Sequence, residues 1–281
     1  LSPHRIPPAG RGDLLENPVN SHERLWGNYD SWALDRGRLV ARLLEKWLPL
    51  SGSRILDAGC GSGGAARALA EAGAIVTAVD LHPTTPAGLA DKDLHIRYFC
   101  ADLTAWSCDI PNDGVILWDV LEHLPDPAAA LKKIRAALKP GGLALIATPN
   151  RWSLFNALCD PHYGLPGVSL LNRRAVRRIV SGWLRWHRPD KADFPQLLSL
   201  NAVETLLRDN GFSWRFIHHT LFAAAMANPR GLWNRPGHLR LFQAIKARGW
   251  ERGLDRMVSD SRGVRNRWLM PTFFILARVE D

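Results

Sequence analysis

No run of apolar residues in this 281-residue chain approaches the roughly 20 needed to cross a bilayer as a helix, which excludes an integral helical membrane protein. Cysteine is scarce. Cys60, Cys100, Cys108 and Cys159 form no CxxC pair and no zinc-type spacing, so a disulfide scaffold and a zinc module are excluded, and a reduced cytoplasmic compartment is the simplest reading. No metal-ligand cluster stands out along the sequence, and metal-independent chemistry is expected. The chain begins at Leu1 and not at methionine, which leaves a removed targeting segment open.

What is present is a globular composition, 46% hydrophobic and 22% charged, in a chain long enough to bury a substantial core. The net charge of +9 is unevenly spread. Segment 151–198 carries eight Lys and Arg against three acidic residues and segment 222–268 carries ten against three, so the rest of the chain is slightly acidic. These two segments call for an explanation separate from that of the remainder.

The remainder is organised around Arg54 to Gly64, RILDAGCGSGG. Apolar Ile55 and Leu56 lead into Asp57, then a turn with Gly59, Gly61, Gly63 and Gly64, then Ala65 to Ala72 at helical spacing. Such a strand, tight turn and helix suits a nucleotide-like ligand, because glycines permit positive φ and close approach while the helix start offers free N–H groups. Gly59-x-Gly61-x-x-Gly64 also fits a dinucleotide fingerprint by spacing, and a glycine turn without a ligand is the plain structural alternative. Asp57 argues against the dinucleotide. A carboxylate two residues before the first glycine repels a pyrophosphate and attracts a ligand carrying a sulfonium and a free amino group.

On Asp57-Ala58-Gly59-Cys60-Gly61-Ser62-Gly63 the chain resembles the class I S-adenosylmethionine-dependent methyltransferases, whose first motif is an acidic residue followed by GxGxG. Further along, Asp119 to Pro127 (DVLEHLPDP) resembles the small-molecule branch that includes quinone-biosynthesis enzymes, and Lys139-Pro140-Gly141-Gly142 before a buried strand repeats the family pattern. The resemblance covers about 26–150, 199–220 and 269–279. It implies a seven-stranded Rossmann-like sheet, order 3-2-1-4-5-7-6 with the last strand antiparallel, helices on both faces and S-adenosyl-L-methionine as cofactor.

Residues 1–20, rich in Pro and Gly, read as a flexible arm, with the methyltransferase domain over 21–281. Leu39, Val40, Leu43, Leu44 and Trp47 share one helical face that ends at Pro49. The family often lays an N-terminal helix over the cofactor, which makes Tyr29 a lid residue by resemblance. Core packing of Trp26, Tyr29 and Trp32 is the competing reading. Strands are expected at Ala74 to Asp80, His95 to Phe99, Asp113 to Val120 and Leu143 to Thr148, alternating with helices, hence a parallel sheet with ligands beyond the carboxyl ends of its strands. Asp80, 19 residues past Gly61, suits the ribose hydroxyls or a helix cap, and Leu81 can pack on the adenine. By resemblance Asp102 contacts the adenine amino group with the Leu103 N–H at the ring, although Asp is also a natural turn residue. Asp126 is expected to cap a helix from Pro127 to about Leu138 that stops at the KPGG turn. A helix over Ser199 to Asn210 and strands at Phe212 to Thr220 and Pro271 to Val279 complete the sheet. The cofactor set read this way is Tyr29, Asp57, Gly59, Cys60, Gly61, Gly63, Asp80, Leu81, Asp102, Leu103, Trp118, Asp119 and Val120.

Insertions 151–198 and 222–268 hold Trp152, Trp183, Trp186, Trp233, Trp250 and Trp268 beside many arginines, and are expected to be mainly helical and to cap an acceptor site. Three partners compete: a small apolar, lipid-like or anionic acceptor, a membrane surface met peripherally, and nucleic acid. Thr148-Pro149-Asn150 is not the (Asp/Asn)-Pro-Pro-(Tyr/Phe) motif of base-amino methyltransferases, which weighs against the third. O-methylation needs a base, for which His123 is best placed, with His162 and Tyr163 next. A methyltransferase-fold protein that binds cofactor without catalysis, and a nicotinamide-dependent oxidoreductase, remain the alternatives from other classes.

Overall fold

The computed structural model describes residues 29–82, 94–186, 194–233 and 236–280. The expected arm at 1–20 and Trp26 lie outside them. Helix α1 (Tyr29–Leu44) is followed by β1 (Arg54–Ala58), α2 (Gly64–Glu71), β2 (Ile75–Asp80), β3 (Ile96–Cys100) and β4 (Asn112–Trp118). Then come α3 (Pro127–Ala136), β5 (Leu138–Pro149), α4 (Leu154–Leu158) and α5 (Arg173–Arg177), which runs into a π-helical turn, Arg178–Trp183. Helix α6 (Leu200–Asp209), β6 (Phe212–Phe216), α7 (His218–Ala227), α8 (Pro236–Ala247), α9 (Glu251–Asp255) and β7 (Thr272–Val279) complete the chain.

The seven strands form one sheet in the order β3-β2-β1-β4-β5-β7-β6, parallel except for β7, which pairs antiparallel with both β5 and β6. The order and the reversed last strand are those expected. β1 and β4, central and buried on both faces, read as continuous apolar runs for that reason. On one face α3 and α6 bury Leu131, Ile134, Val203 and Leu207. On the other α1, α2 and α7 bury Leu39, Leu43, Leu69 and Leu221. Each such leucine contributes about 2 kcal/mol by leaving water.

Two expected boundaries are corrected. Lys139 to Gly142 does not separate helix from strand: α3 ends at Ala136 and β5 begins at Leu138, which pairs with Asn112 across a bulge before Leu143 resumes the register with Gly114. Strand β6 ends at Phe216 rather than Thr220, and His218 to Thr220 turn into α7. His218 is buried there, with Nδ1 2.8 Å from the Ser259 carbonyl and Nε2 accepting the Phe274 N–H at 3.3 Å. Those tertiary contacts override the strand pattern. Asp126 caps α3 as expected, accepting from the Ala129 N–H at 3.0 Å.

The two insertions are helical and joined at the end of β5. Buried Asn150 donates to the Asn266 and Met270 carbonyls, each at 2.9 Å, and accepts from the Trp152 N–H at 3.0 Å. The first insertion has its own small core of Tyr163, Val168, Val176, Val180 and Phe194. The second meets α1, where the Trp32 indole donates to the Arg230 carbonyl and a side chain at Gly231 would collide with Leu39.

Candidate functional site

The glycine turn sits at the carboxyl edge of the sheet, where β1 delivers Asp57. Its carboxyl is 3% exposed, and Oδ2 makes no hydrogen bond. Burial pushes its pKa up to about 7, against the Ala66 backbone N–H, and the charge of Asp80 adds to the rise. A buried carboxyl without a cation is an open demand, and an ammonium would meet it. Gly61, at φ 50°, faces open space: a Cβ there would meet nothing within 4 Å. Gly59 instead abuts Val120, whose Cγ2 would lie 2.5 Å from an added Cβ, so the loops after β1 and β4 converge. Gly63 (φ 76°) begins α2, and half-buried Cys60 lies between Gly59 and Gly61.

Asp80 lies at the same edge of the sheet. Its Oδ2 accepts the Gly61 N–H at 2.9 Å and its Oδ1 the His82 N–H at 3.0 Å, tying β2 to the glycine turn. Each oxygen keeps a second lone pair for a hydroxyl donor. Leu81 beside it is 62% exposed, an apolar surface without a protein cover. Asp102 uses Oδ1 for the Thr104 N–H and hydroxyl, both at 2.8 Å, as a turn residue does, and Leu103 buries its side chain in the core.

After β4, Trp118 packs on Phe274 at 5.5 Å, and Asp119 takes a left-handed backbone, φ 55°, which is unfavourable for a non-glycine residue. The Asp119 carboxylate pairs with Arg36 of α1, and that guanidinium also lies 5.2 Å from the Trp32 ring and 5.8 Å from that of Trp118. Helix α1 thus packs against the site. A Cβ at Gly64 would fall 2.3 Å from the Ala33 carbonyl, so no larger residue fits between α1 and α2. Tyr29 opens α1, but its side chain is not among those described.

A second group of residues meets beyond β4. Glu122, fully buried, accepts the Thr148 hydroxyl at 2.9 Å through Oε2, while Oε1 has no hydrogen bond and lies 4.0 Å from His162 Nε2. Burial, reinforced by the charge of Asp119, raises the Glu122 pKa to about 8. The His123 and His162 rings stand edge to face at 5.1 Å. Their turn is held by Asp160, which is buried and accepts the His162 and Tyr163 N–H groups at 2.9 Å each. Burial raises its pKa also. Ligand atoms of Glu122, His123 and His162 lie within 4.8 Å of one another, close enough to hold a metal ion. The fold thus brings together residues 39 positions apart that show no metal-type spacing along the sequence. Tyr163, expected beside His162, has its ring buried in the insertion core.

Sequence reasoning quoted Glu122 within DVLEHLPDP without giving it a role, and overlooked Arg36, Asp160 and Arg173. Arg173 donates to the Glu122 and Leu124 carbonyls at 3.2 and 2.9 Å and steadies this loop. Adjacency to His123 was the available signal for Glu122. For the others there was none, since their partners are remote in sequence.

Strand order, an orphaned carboxyl before an open glycine turn and an acid at the end of β2 define the class: a Rossmann-like methyltransferase with a site that fits S-adenosylmethionine. The family model described as a methyltransferase domain matches residues 31–215, so the chain belongs to that family. Over 115 residues it is 36% identical to a ubiquinone biosynthesis O-methyltransferase of Coxiella burnetii, covering 39% of this chain and 49% of that protein. A protein of the same name from Xylella fastidiosa is 40% identical over 116 residues, covering 38% and 46%. The chain thus spans about half the length of the curated relatives it matches. In fold it is similar to an S-adenosylmethionine-dependent methyltransferase from Mesorhizobium loti, with TM-score 0.53, 20% identity and coverage of 84% of this chain and 95% of that one. It is also similar to 1,6-didemethyltoxoflavin-N1-methyltransferase from Burkholderia thailandensis, with TM-score 0.50, 17% identity and coverage of 100% and 95%.

Proposed function

We propose that the protein methylates a hydroxyl of a small aromatic or lipid-like acceptor, with Asp57 and Asp80 holding the cofactor and the Glu122–His162–His123 cluster handling the acceptor proton. One observation carries the acceptor half: a buried carboxyl and two imidazoles converge beyond the end of β4. The relatives named as O-methyltransferases support the choice of oxygen.

When bound, the cofactor supplies an electrophilic methyl carbon. In this chain Asp57 pairs with the ammonium and Asp80 accepts the ribose hydroxyls. Leu81 covers one adenine face, and Asp102 with the Leu103 N–H addresses its edge. Cys60, Gly61 and Gly63 leave room for the ligand beside Trp118, Asp119 and Val120. His162 takes the proton from the acceptor oxygen, and Glu122, 4.0 Å away, and His123 orient its ring. Tyr163 and Asp160 fix the turn that carries His162. Insertions 151–198 and 222–268 form the cap over the acceptor.

Calorimetric titration with S-adenosylhomocysteine, on wild type and Asp80→Ala with NAD as control, tests the cofactor half. Binding that weakens by about 1–3 kcal/mol in the variant supports it, and preference for NAD sinks it. Transfer of labelled methyl to catechol-like phenols, lost in His162→Ala and Glu122→Gln, tests the acceptor half. Cofactor binding without transfer to any acceptor would favour a non-catalytic role. A second reading is favoured by the 4.8 Å cluster: a divalent cation held there would lower the acceptor pKa in place of a base. Activity lost on chelation and restored by one metal would select it.

The first insertion also exposes Leu154, Phe155, Leu158 and Trp183 among arginines, which suits peripheral contact with an anionic membrane surface. No described helix is long and apolar enough to span one. Cosedimentation with phosphatidylglycerol vesicles that survives Phe155→Glu would overturn that contact.

A further inference from the structure

The Leu121–Leu124 loop borders a second space, a cavity of about 630 Å³ whose lining includes Leu121, Leu124, Phe194 and Leu198 together with Arg173, Arg174 and Arg177. Among the described residues, no acidic one lines it. A smaller cavity of about 320 Å³ shares Arg174 and Arg177 with it and adds Arg178, Ser181 and Gly182. The two meet along one helical face, because residues 174, 178 and 181 follow one another at spacings of four and three.

Three observations ask for an anion here. The side chains of Arg174 and Arg178 are exposed and make no ion pair or hydrogen bond to any described residue. Ser181 is 8% exposed, lines the smaller cavity, and its buried Oγ has no hydrogen-bond partner. The Nε of Arg173 is likewise buried without a partner, its guanidinium satisfied only by two backbone carbonyls. The helix is also irregular at this point, a π turn over Arg178–Trp183, a distortion that often marks functional sites.

We propose that the paired cavities bind a monomeric amphipathic organic anion, with a phosphate or carboxylate head on Arg174, Arg178 and Ser181 and an apolar body along Leu121, Leu124 and Phe194. Guanidinium groups hold such heads through charge-assisted hydrogen bonds, and the apolar wall selects against bare inorganic anions. The inference rests on the cavities alone and stands or falls separately from the acceptor chemistry proposed above.

The test is fluorescence or calorimetric titration of the full chain with decyl phosphate below its micellar concentration, beside decanol, inorganic phosphate and phosphatidic acid vesicles. Decyl phosphate should saturate one site, with decanol and inorganic phosphate each at least about tenfold weaker. Arg174→Glu/Arg178→Glu should weaken decyl phosphate by about tenfold or more, and Ser181→Ala by a few-fold, without changing S-adenosylhomocysteine affinity, which reports an intact fold. Equal binding of decanol, an unaffected double variant, or binding to vesicles with none to the monomer would each overturn the site.

Discussion

If the ammonium of the cofactor completes Asp57, cofactor binding must be linked to proton release. The carboxyl of the free protein has a pKa of about 7 because burial penalises its ionised form. A cation beside it removes most of that penalty and draws the pKa well down, so below pH 7 binding expels a proton. At pH 6 about one site in ten is already ionised, whereas at pH 8 nearly all are. S-adenosylhomocysteine should therefore bind about tenfold, or about 1.4 kcal/mol, more weakly at pH 6 than at pH 8, with the dependence levelling off above 8. Calorimetry at pH 6 in buffers of different ionisation enthalpy should register close to one proton released per site. Asp57→Asn should abolish both the release and the pH dependence, and at pH 8 should bind more weakly than wild type. Wild-type affinity that stays flat from pH 6 to 8 would refute the pairing of Asp57 with the ammonium.

The other expectations concern stability and turnover. Glu122 also has a raised pKa, so the stability linked to it is fully present below the ordinary carboxylate range and is lost as pH rises through about 8. Glu122→Gln should therefore melt higher than wild type at pH 9 while losing methyl transfer at least about tenfold, and a variant with unchanged activity would leave Glu122 a purely structural residue. Gly64→Ala forces a methyl to 2.3 Å from the Ala33 carbonyl and should cost about 2 kcal/mol or more in urea unfolding. Gly61→Ala meets no protein atom, so it should cost only about 1 kcal/mol for its left-handed backbone while sharply weakening S-adenosylhomocysteine. The reverse ranking of the two variants would misplace the ligand. Arg262→Ala strands the carboxylate of Glu204, which is 1% exposed, and should destabilise by about 2–4 kcal/mol. A loss below about 0.5 kcal/mol would mean water replaces the pair.

The individual strands and the glycine turn were legible because their determinants are local, and the sheet order because the chain resembles a family that has it. The period of the strands, the positive-φ glycines and the acid before them act within a few residues, and the family pattern carried the rest, down to the antiparallel β7. Asp126 as a cap was legible for the same reason. The end of β6 was not: Phe212 to Thr220 reads as one strand, but His218 is buried and bonded to Ser259 and Phe274, partners 41 and 56 residues away. Arg36 on Asp119, Asp160 beneath His162, and His162 beside Glu122 are likewise contacts between distant segments. Sequence, read together with the family resemblance, determined the class of fold, since apolar period and turn chemistry place the strands and helices. Only the tertiary structure decided which titratable groups meet and which are cut off from water. Burial and juxtaposition, and hence the raised pKa values of Asp57 and Glu122, come into being only when the chain has folded.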